Sequence, residues 1–448
     1  MTGSITRVVW ADRDLDETHD PARTSWLAGA EEPGTAFPIQ NLPIGIFRHG
    51  SSSPRAGVAI GDYIIDLAAL PAAFMPDEIQ RSHIETATLD SLLALGRHPL
   101  RELRRRLSAG FAQASIENEL YRRRLDLLVP SSECELLLPT SIPDYTDFYA
   151  GIEHARRAGS IARPGSTLSP NYGTQPIGYH GRASTVRVSG AEIRRPHGPF
   201  PDVDTGEVAC APTRALDFEL ELGLFVCGTA SGRMSIGDAA QRIAGVCLLN
   251  DWSARDIQRW EMTPLGPFLG KSFATTISPW IVTWDALAPF RIAASPRDPQ
   301  HGDPPSYLLD GDDQASGALD IELLVSLCAS QGGGTAVPPE VIARSNTCHL
   351  YWTPAQMLAH HSVNGCTLRP GDLIGSGTIS GPNQEQSGSL LELTRNGASP
   401  LTLRSAPTRT YLEDGDEIVL SALCRRPAYR SIAFGPCAGR VVPEGELA

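Results

Sequence analysis

The chain has 448 residues, 41% of them hydrophobic, and a formal net charge of −13 at pH 7. This length exceeds the size at which a single hydrophobic core keeps growing, so we expect two domains. The negative charge argues against nucleic acid and against an anionic membrane as the main partner, because both are bound by basic surfaces.

The cysteines and the N-terminus indicate a soluble, cytoplasmic protein. The nine cysteines are widely spaced, never form a Cys-x-x-Cys pair and mostly lie in apolar segments, which is typical of reduced, buried thiols. The N-terminus lacks the basic and then apolar pattern of a signal peptide, and no apolar run is long enough to span a membrane.

The first predicted domain is a small β unit followed by helices. Residues 1–36 are polar and lack periodicity, so we expect an extension that is poorly ordered or lies over the surface. From residue 37 to about 70, short apolar runs predict antiparallel strands with a turn at Gly61 and Asp62. Helical periodicity follows between residues 88 and 128. We therefore assign residues 37–130 to the N-terminal domain and residues 131–448 to the second domain.

A histidine lies in the first predicted helix of the second domain. Residues 142–159 have the sequence IPDYTDFYAGIEHARRAG, in which Thr146 or Asp147 is a suitable N-cap for a helix that contains His154. A single histidine in such a helix is more often structural or solvent-facing than catalytic. This segment alone leaves both roles open.

An acidic strand follows. Residues 215–226 have the sequence ALDFELELGLFV, whose alternation predicts a strand with Asp217, Glu219 and Glu221 on one face. Carboxylates on alternate residues of a strand are about 7 Å apart and can reach one hard cation. With carboxylates from elsewhere they would form the all-oxygen site that Mg²⁺ or Ca²⁺ prefers, whereas no Cys/His set has the spacing of a zinc site. The alternative is an acidic face that meets water.

The segment 250–276 contains the only lysine of the chain, Lys271, among 38 basic residues. Lysine differs from arginine in carrying a compact ammonium, which can sit close to a metal or to a developing oxyanion. Asp251, Arg255 and Gln258 lie nearby in the sequence, between large aromatic residues, which indicates a partly buried polar pocket. The alternative is that one lysine persisted by chance in an arginine-rich sequence.

Two glycine patterns of the second domain do not predict nucleotide binding. The run GPFLGKS has only three residues between Gly266 and Gly270, one of them proline, whereas a P-loop needs four. The glycines of residues 375–381 miss the dinucleotide spacing, and are better suited to let the backbone approach a small ligand. Short strands separated by glycine turns predict a mostly β domain here, with one helix. We interpret His360 and His361 in that helix as packed or exposed rather than as ligands.

Several segments form an ordered set along most of the chain. They are YTDFY…H, PIGYHGRAS, LDFELELG, NDWSARDIQ, GPFLGKSF, TISPW, HHSVNGC and GDLIGSGTISGP. This set, from about Phe37 to FGPCAGRV near the C-terminus, resembles the fumarylacetoacetate hydrolase family. The resemblance implies a mostly β, α+β fold with an N-terminal SH3-like barrel domain, a C-terminal mixed β-roll domain and a homodimer. It also implies hydrolysis of the C–C bond of 4-fumarylacetoacetate to fumarate and acetoacetate, the last step of tyrosine and phenylalanine catabolism, with Ca²⁺ or Mg²⁺.

The resemblance also implies roles for individual residues. It implies four carboxylates as metal ligands, which are Asp147, Glu219, Glu221 and Asp251, and it places Lys271 and Thr275 beside the metal. It implies His154 as the general base and Glu392 as the carboxylate that orients it. The groups that it implies around the oxyanion are Arg255, Gln258 and Lys271. The substrate contacts are Tyr149, Arg163, Tyr179, Gln258, Met262 and Thr378.

One position departs from the family pattern. Met262 stands where the family usually has a tyrosine that contacts the substrate, and a thioether cannot donate a hydrogen bond. Another acylpyruvate or diketo acid is therefore an alternative substrate. A decarboxylase, isomerase or hydratase of the same superfamily is an alternative activity, and a non-catalytic binding protein is an alternative of a different class.

Overall fold

The computed structural model describes residues 14–444 except 117, 163–164, 166–167, 230–231, 331–337 and 405–406. Over these residues the fold is a sheet-dominated α+β structure, which confirms the predicted class. Within the same residues, each helix is too short or too polar to cross a membrane.

The N-terminal part forms a five-stranded antiparallel sheet in the order β4-β3-β2-β1-β5. Its strands are β1 (Ile44–His49), β2 (Arg55–Ile60), β3 (Tyr63–Asp66), β4 (Leu128–Pro130) and β5 (Cys134–Leu137). The turn predicted at Gly61 and Asp62 joins β2 to β3, with φ of 52° at Gly61, a conformation that favours glycine. The sheet continues past residue 130 through β5, and the predicted domain limits stay a prediction.

Ten α-helices lie in the described part of the chain. They are α1 (Arg81–Ile84), α2 (Asp90–Leu93), α3 (Arg97–Phe111), α4 (Asn118–Arg122), α5 (Ile152–Ala162), α6 (Ile236–Ala240), α7 (Arg255–Glu261), α8 (Gly311–Ser316), α9 (Pro354–Ser362) and α10 (Leu390–Leu393). The longest, α3, buries Leu100, Leu103 and Leu107, whose spacing of three and four residues places them on one face.

Twenty further strands build the rest of the molecule. They are β6 (Tyr145–Phe148), β7 (Gly178–His180), β8 (Val186–Val188), β9 (Ala191–Arg194), β10 (His197–Pro201), β11 (Val208–Pro212), β12 (Leu216–Asp217), β13 (Leu220–Val226), β14 (Ile243–Asp251), β15 (Ser253–Ala254), β16 (Thr275–Ile277), β17 (Val282–Thr283), β18 (Arg291–Ile292), β19 (Ala318–Leu319), β20 (Glu322–Cys328), β21 (Glu340–Asn346), β22 (Leu373–Gly375), β23 (Glu417–Cys424), β24 (Ile432–Ala433) and β25 (Cys437–Val442). Eight of them form a central sheet in the order β7-β6-β22-β13-β14-β16-β8, with β17 beside β14. A second sheet has the order β21-β20-β23-β25-β9, with β24 beside β23.

The central strands β13 and β14 are buried along their whole length. On one face, Leu220 and Leu222 join the large core of the C-terminal part. On the other face, Leu249 belongs to the core that contains Ile44 of the N-terminal sheet. Ile44 and Ile281 also exchange backbone hydrogen bonds of 3.0 and 2.8 Å. The N-terminal sheet therefore covers one face of the central sheet.

The described part of the predicted N-terminal extension, from residue 14, contacts the rest of the molecule, and residues 1–13 lie outside the described residues. Asp14 pairs with Arg97 and Arg291 at 2.9 and 2.7 Å. The Trp26 ring stacks on Phe111 with 5.3 Å between ring centroids. These contacts attach the segment to α3 and to the C-terminal part.

The helix predicted to begin after Thr146 or Asp147 begins only at Ile152, and β6 occupies the earlier residues. Asp147 pairs with Gly375 of β22 in parallel and with Tyr179 of β7 in antiparallel register. Pairing with strands distant in the sequence outweighs a local capping signal. The prediction was wrong for this segment because the sequence near residue 146 carries no information about β22.

Candidate active site

Three carboxylates meet at one end of the central sheet. Asp147, Glu221 and Asp251 come from β6, β13 and the end of β14, and each offers an oxygen within 4.8 Å of the others. All three are buried, and so are Asp217 and Glu219. The alternative of a solvated acidic face is therefore wrong.

The glycine-rich loop that follows β22 approaches this cluster with its backbone. The Gly377 amide donates to Asp147 Oδ1 at 3.2 Å and to Glu221 Oε2 at 3.0 Å. A Cβ at Gly375 would lie 2.5 Å from Asp147 Oδ1, so a larger residue would displace the carboxylate. Gly375 at the end of β22 and Gly377 in the loop thus bring the backbone close to the acidic cluster.

Positive charge compensates only part of the cluster, because Asp251 pairs with Lys271 but Asp147 and Glu221 have no ion pair within the residues that the structure describes. Burial, and next the charge of Asp251, raise the pKa of Asp147 to about 8. Burial and Asp147 raise the pKa of Glu221 well above its usual range, and burial raises that of Asp251. Among the described residues Glu221 Oε1 is buried without a hydrogen-bond partner. Buried oxygens of this kind are costly unless they bind a cation, and three carboxylates fit the preference of a hard divalent ion.

Glu219 lies beside the cluster and is held by two cations. Its Oε1 accepts from Arg255 Nη1 at 2.8 Å, and its Oε2 accepts from Lys271 Nζ. Although burial raises the pKa of Glu219, Lys271 and Arg255 hold it below its usual range. The oxygens of Glu219 thus face cationic side chains, and the group of three that could share a cation leaves it out.

Lys271 bridges Glu219 and the acidic cluster. Its ammonium also donates to Asp251 Oδ2 at 2.7 Å. Burial lowers the pKa of Lys271, but Asp251 and Glu219 more than offset this and raise it above its ordinary value. The only lysine of the chain is therefore a buried ammonium that offsets part of the charge of the carboxylates.

Asp251 has two further partners that the sequence analysis singled out. Thr275 Oγ1 donates to Asp251 Oδ1 at 3.3 Å, and the Tyr179 hydroxyl donates to Oδ2 at 2.9 Å. Thr275 faces Asp251 directly across the β14–β16 pair. Asp251 is therefore held in place from three sides.

His154 and Glu392 form a buried pair. His154 lies on α5, and its Nδ1 is 2.7 Å from Glu392 Oε2 on α10. The same oxygen accepts from the hydroxyls of Ser380 and Ser389, both at 2.9 Å. Burial raises the pKa of Glu392, but His154 and these hydrogen bonds bring it below its usual range. An ionised Glu392 accepts a hydrogen bond from the N–H at Nδ1. In the neutral ring this leaves Nε2 without a proton, so that it can act as a proton acceptor.

Nε2 of His154 points toward the ion-paired residues, 3.9 Å from Glu219 Oε1. Arg255, at the start of α7, also donates to Gln258 Oε1 at 3.1 Å. Its Nη2 is buried without a hydrogen-bond partner among the described residues. The candidate base His154 and Arg255, the arginine with this buried N–H group, therefore both lie next to Glu219.

Of the other predicted site residues, Tyr149 contacts this centre directly. The Tyr149 ring packs edge-on against His154 with 5.5 Å between centroids. Thr378 is buried in the glycine loop, and Met262, directly after α7, is 47% exposed. Arg163 lies outside the described residues.

His360 and His361 are packed against neighbours on other elements. His360 Nδ1 lies 2.7 Å from the Tyr307 hydroxyl, and His361 Nε2 lies 2.8 Å from Thr146 Oγ1. Neither belongs to the acidic cluster.

Asp217 was predicted to lie on the acidic face but had no predicted role in the site. The structure gives it a buried contact with the candidate site, because its Oδ2 accepts from Arg255 Nε at 2.8 Å. The only available signal was its position in the alternating run LDFELELG.

Comparison with known proteins gives matches over nearly the whole chain. The family described as fumarylacetoacetase N-terminal matches residues 40–139, and that described as fumarylacetoacetate (FAA) hydrolase C-terminal matches residues 145–442. The chain is 44% identical to the fumarylacetoacetase of Oryza sativa subsp. japonica, over 92% of this chain and 96% of that protein. It is 43% identical to the fumarylacetoacetase of Homo sapiens, over 94% and 99%.

A solved structure gives the same fold. The fumarylacetoacetate hydrolase from psychrophilic Exiguobacterium antarcticum aligns with a TM-score of 0.50 and 18% identity, covering 90% of this chain and 100% of that one.

Proposed function

The chain belongs to the fumarylacetoacetate hydrolase family, and we propose on this basis that it hydrolyses 4-fumarylacetoacetate to fumarate and acetoacetate in tyrosine and phenylalanine catabolism. The observation that carries the proposal is the buried pair of His154 and Glu392 beside a buried acidic cluster. A base next to a cation site is what hydrolysis of a C–C bond between carbonyl groups requires.

His154 is the general base in this proposal. Water is a weak nucleophile at neutral pH, so its proton has to be removed as it attacks the carbonyl carbon. Nε2 of His154 takes that proton, while Glu392 holds the ring orientation and stabilises the imidazolium that forms. The two serine hydroxyls on Glu392 fix the carboxylate in turn.

Arg255, Gln258 and Lys271 stabilise the negative oxygen that develops at the attacked carbonyl. Arg255 and Lys271 are buried and preoriented by Glu219, so little reorganisation is needed when charge develops. Removal of one such donor typically costs a factor of about 10²–10³ in rate.

Asp147, Glu221 and Asp251, with Glu219 as the fourth carboxylate, would hold the divalent cation, Mg²⁺ or Ca²⁺. Lys271 and Thr275 lie beside these ligands. A bound cation of this kind supplies Lewis-acid polarisation of carbonyl oxygens. Buried Asp147 and Glu221 have no ion pair among the described residues, which supports a cation at this position.

The substrate contacts proposed here are Tyr149, Arg163, Tyr179, Gln258, Met262 and Thr378. Tyr149 and Thr378 lie close to His154 and to the glycine loop. Met262 offers no hydrogen bond to the distal end of a substrate, which favours a related acylpyruvate or diketo acid as the second candidate substrate.

We also propose a homodimer in the cytoplasm. At the end of α7 and in the loop that follows it, five large apolar side chains are exposed: Trp260, Met262, Leu265, Phe268 and Leu269. A cluster of this size in one short segment is typical of a protein interface, which supports a second copy as the partner. The nine free cysteines support a reducing compartment.

The proposal is tested by the loss of absorbance of fumarylacetoacetate on addition of the purified protein. Two or three acylpyruvates, and EDTA followed by Mg²⁺ or Ca²⁺, complete the experiment. We expect metal-dependent turnover that is fastest with fumarylacetoacetate. Inactivity of metal-loaded protein toward the whole set would contradict the proposed function.

A further inference from the structure

The carboxylate of Asp217 joins two parts of the candidate active site that are far apart in the sequence. Asp217 is completely buried, and each of its oxygens accepts two hydrogen bonds. Oδ1 accepts from the amides of Phe218 and Leu390 at 2.8 and 2.7 Å. Oδ2 accepts from the Leu391 amide at 3.0 Å and from Arg255 Nε at 2.8 Å.

The first of these parts is the arginine. Nε of Arg255 donates to Asp217, and its Nη1 donates to Glu219 at 2.8 Å. Two carboxylates on different edges of a planar guanidinium fix its position and its rotation. Its Nη2, which has no hydrogen-bond partner in the described part of the chain, is thereby held in one direction. Asp217 reaches Arg255 because β12 pairs with β15, the strand that directly precedes α7.

The second part is the helix that carries Glu392. Leu390 and Leu391 are the first two residues of α10, whose amides have no partner within the helix. Asp217 accepts both of these hydrogen bonds, 173 and 174 residues away in the sequence. Glu392, the next residue of the same helix, is paired with His154.

We propose that Asp217 is a positioning residue for the hydrolysis: it holds Arg255 and the helix of Glu392 in one fixed arrangement. A single carboxylate then fixes the position of Arg255, the hydrogen-bond donor to the oxyanion, relative to that of the base His154. This inference rests on the proposed function for the roles of Arg255 and Glu392. Asp217 itself touches neither water nor substrate in this proposal.

The variant Asp217→Asn tests the inference because it replaces one acceptor oxygen by an NH₂ group. Each oxygen of Asp217 faces two donors, so the new NH₂ group faces donors whichever way the amide is turned. We expect kcat to fall about 10- to 100-fold, part of the loss typical of a missing donor, with KM changed less than about threefold.

A double-mutant cycle separates positioning from a general structural effect. Since Asp217 acts partly through Arg255, Asp217→Asn should lower kcat by a smaller factor in an Arg255→Ala background than in the wild type. Effects of the two substitutions that multiply would overturn the inference. So would a folded Asp217→Asn protein with unchanged kcat.

A matched control is Asp310→Asn. Asp310 also accepts hydrogen bonds from two backbone amides at the start of a short helix, those of Asp312 and Asp313 at 2.9 Å, but it contacts none of the candidate site residues that the structure describes. Both amides donate to one oxygen of Asp310, which asparagine retains, so we expect little change in the melting temperature and none in kcat. Should Asp217→Asn fail to fold, Asp217→Glu displaces the carboxylate by one methylene, and the same measurements apply.

Amide hydrogen exchange gives a readout that does not depend on activity. In Asp217→Asn the peptide containing Leu390 and Leu391 should exchange at least about tenfold faster than in the wild type, whereas Asp310→Asn should leave it unchanged. Equal exchange in all three proteins would overturn the inference. An inactive wild type with the expected exchange pattern would instead overturn only the proposed function.

Discussion

His154 and Glu392 are 238 residues apart in the sequence, yet Nδ1 of the histidine lies 2.7 Å from Oε2 of the glutamate. Both side chains are buried, and the remaining ring nitrogen faces the ion-paired carboxylate Glu219. Burial of a histidine and a carboxylate costs free energy, and a buried imidazole with one nitrogen held by a carboxylate is well suited to proton transfer.

His154→Ala should lower kcat by about 10²–10⁴-fold, because the water loses its general base. Metal binding, measured by titration calorimetry with Mg²⁺ or Ca²⁺, should persist, since His154 is outside the acidic cluster. His49→Ala, at a histidine with a 45% exposed side chain, is the control and should have wild-type activity. Undiminished turnover in His154→Ala would favour a decarboxylase or isomerase over a hydrolase.

Lys271→Arg should lower kcat by about 10²-fold or more although it keeps the positive charge. The ammonium is buried between Glu219 and Asp251, and the larger planar guanidinium would displace both carboxylates. The reverse exchange at a 90% exposed side chain, Arg404→Lys, should change neither kcat nor melting temperature. Wild-type kinetics in Lys271→Arg would mean that any cation suffices at this position.

The metal-free protein should become less stable as the pH rises. The pKa of Asp147 is raised from 3.8 to about 8 by burial and by Asp251, so between about pH 4 and pH 8 the folded state binds more protons than the unfolded chain. The free energy of unfolding should therefore fall by up to about 1.4 kcal/mol per pH unit from this group.

A bound divalent cation favours the ionised carboxylates, so the gain in melting temperature on adding Mg²⁺ or Ca²⁺ to EDTA-treated protein should grow from about pH 5 to about pH 8. Differential scanning fluorimetry at several pH values measures both effects. Asp147→Asn removes one titrating ligand and should reduce the gain and its pH dependence. A gain that is the same at every pH would contradict the assignment of this cluster as the cation site.

Met262→Tyr should lower KM for fumarylacetoacetate by about three- to tenfold with a small change in kcat, because a hydroxyl restores a hydrogen-bond donor for the distal end of the substrate. The 47% exposed side chain leaves room for the ring. Met262→Phe, which adds the ring without the hydroxyl, is the control. An unchanged or higher KM in the tyrosine variant would favour another diketo acid as the natural substrate.

Leu265→Asp should weaken dimerisation at least about tenfold, because a charge placed in an apolar interface is left without water. Sedimentation velocity over a range of protein concentrations measures this change. Leu309→Asp is the matched control at a leucine that is 54% exposed but lies outside the loop after α7. If the wild type is a monomer at all concentrations, the exposed loop has another purpose.

The sequence predicted the composition of the site better than its geometry. Alternation in residues 215–226 located Glu219 and Glu221, and the uniqueness of Lys271 pointed to the segment that holds Asp251. Alternation is the same for a face that meets water and for a face that meets other carboxylates, so burial could not be predicted from it. The carboxylates that Glu221 meets, Asp147 and Asp251, come from β6 and β14 in other parts of the chain.

Long-range contacts also explain the two features that the sequence analysis missed. The segment around Asp147 has good capping residues for a helix, but its pairing with Gly375, 228 residues away, makes it a strand. Asp217 was assigned no role because its partners Leu390 and Leu391 are ordinary leucines in the sequence. Neither feature leaves a local pattern that could be detected without a second chain segment.

The N-terminal sheet covers one face of β13 and β14, the two strands that bring Glu221 and Asp251 together. A chain that lacked this sheet would expose the apolar face of the central strands to water. The two halves therefore have to be inherited together, and a chimera between relatives should exchange the small half along with the strands it rests on.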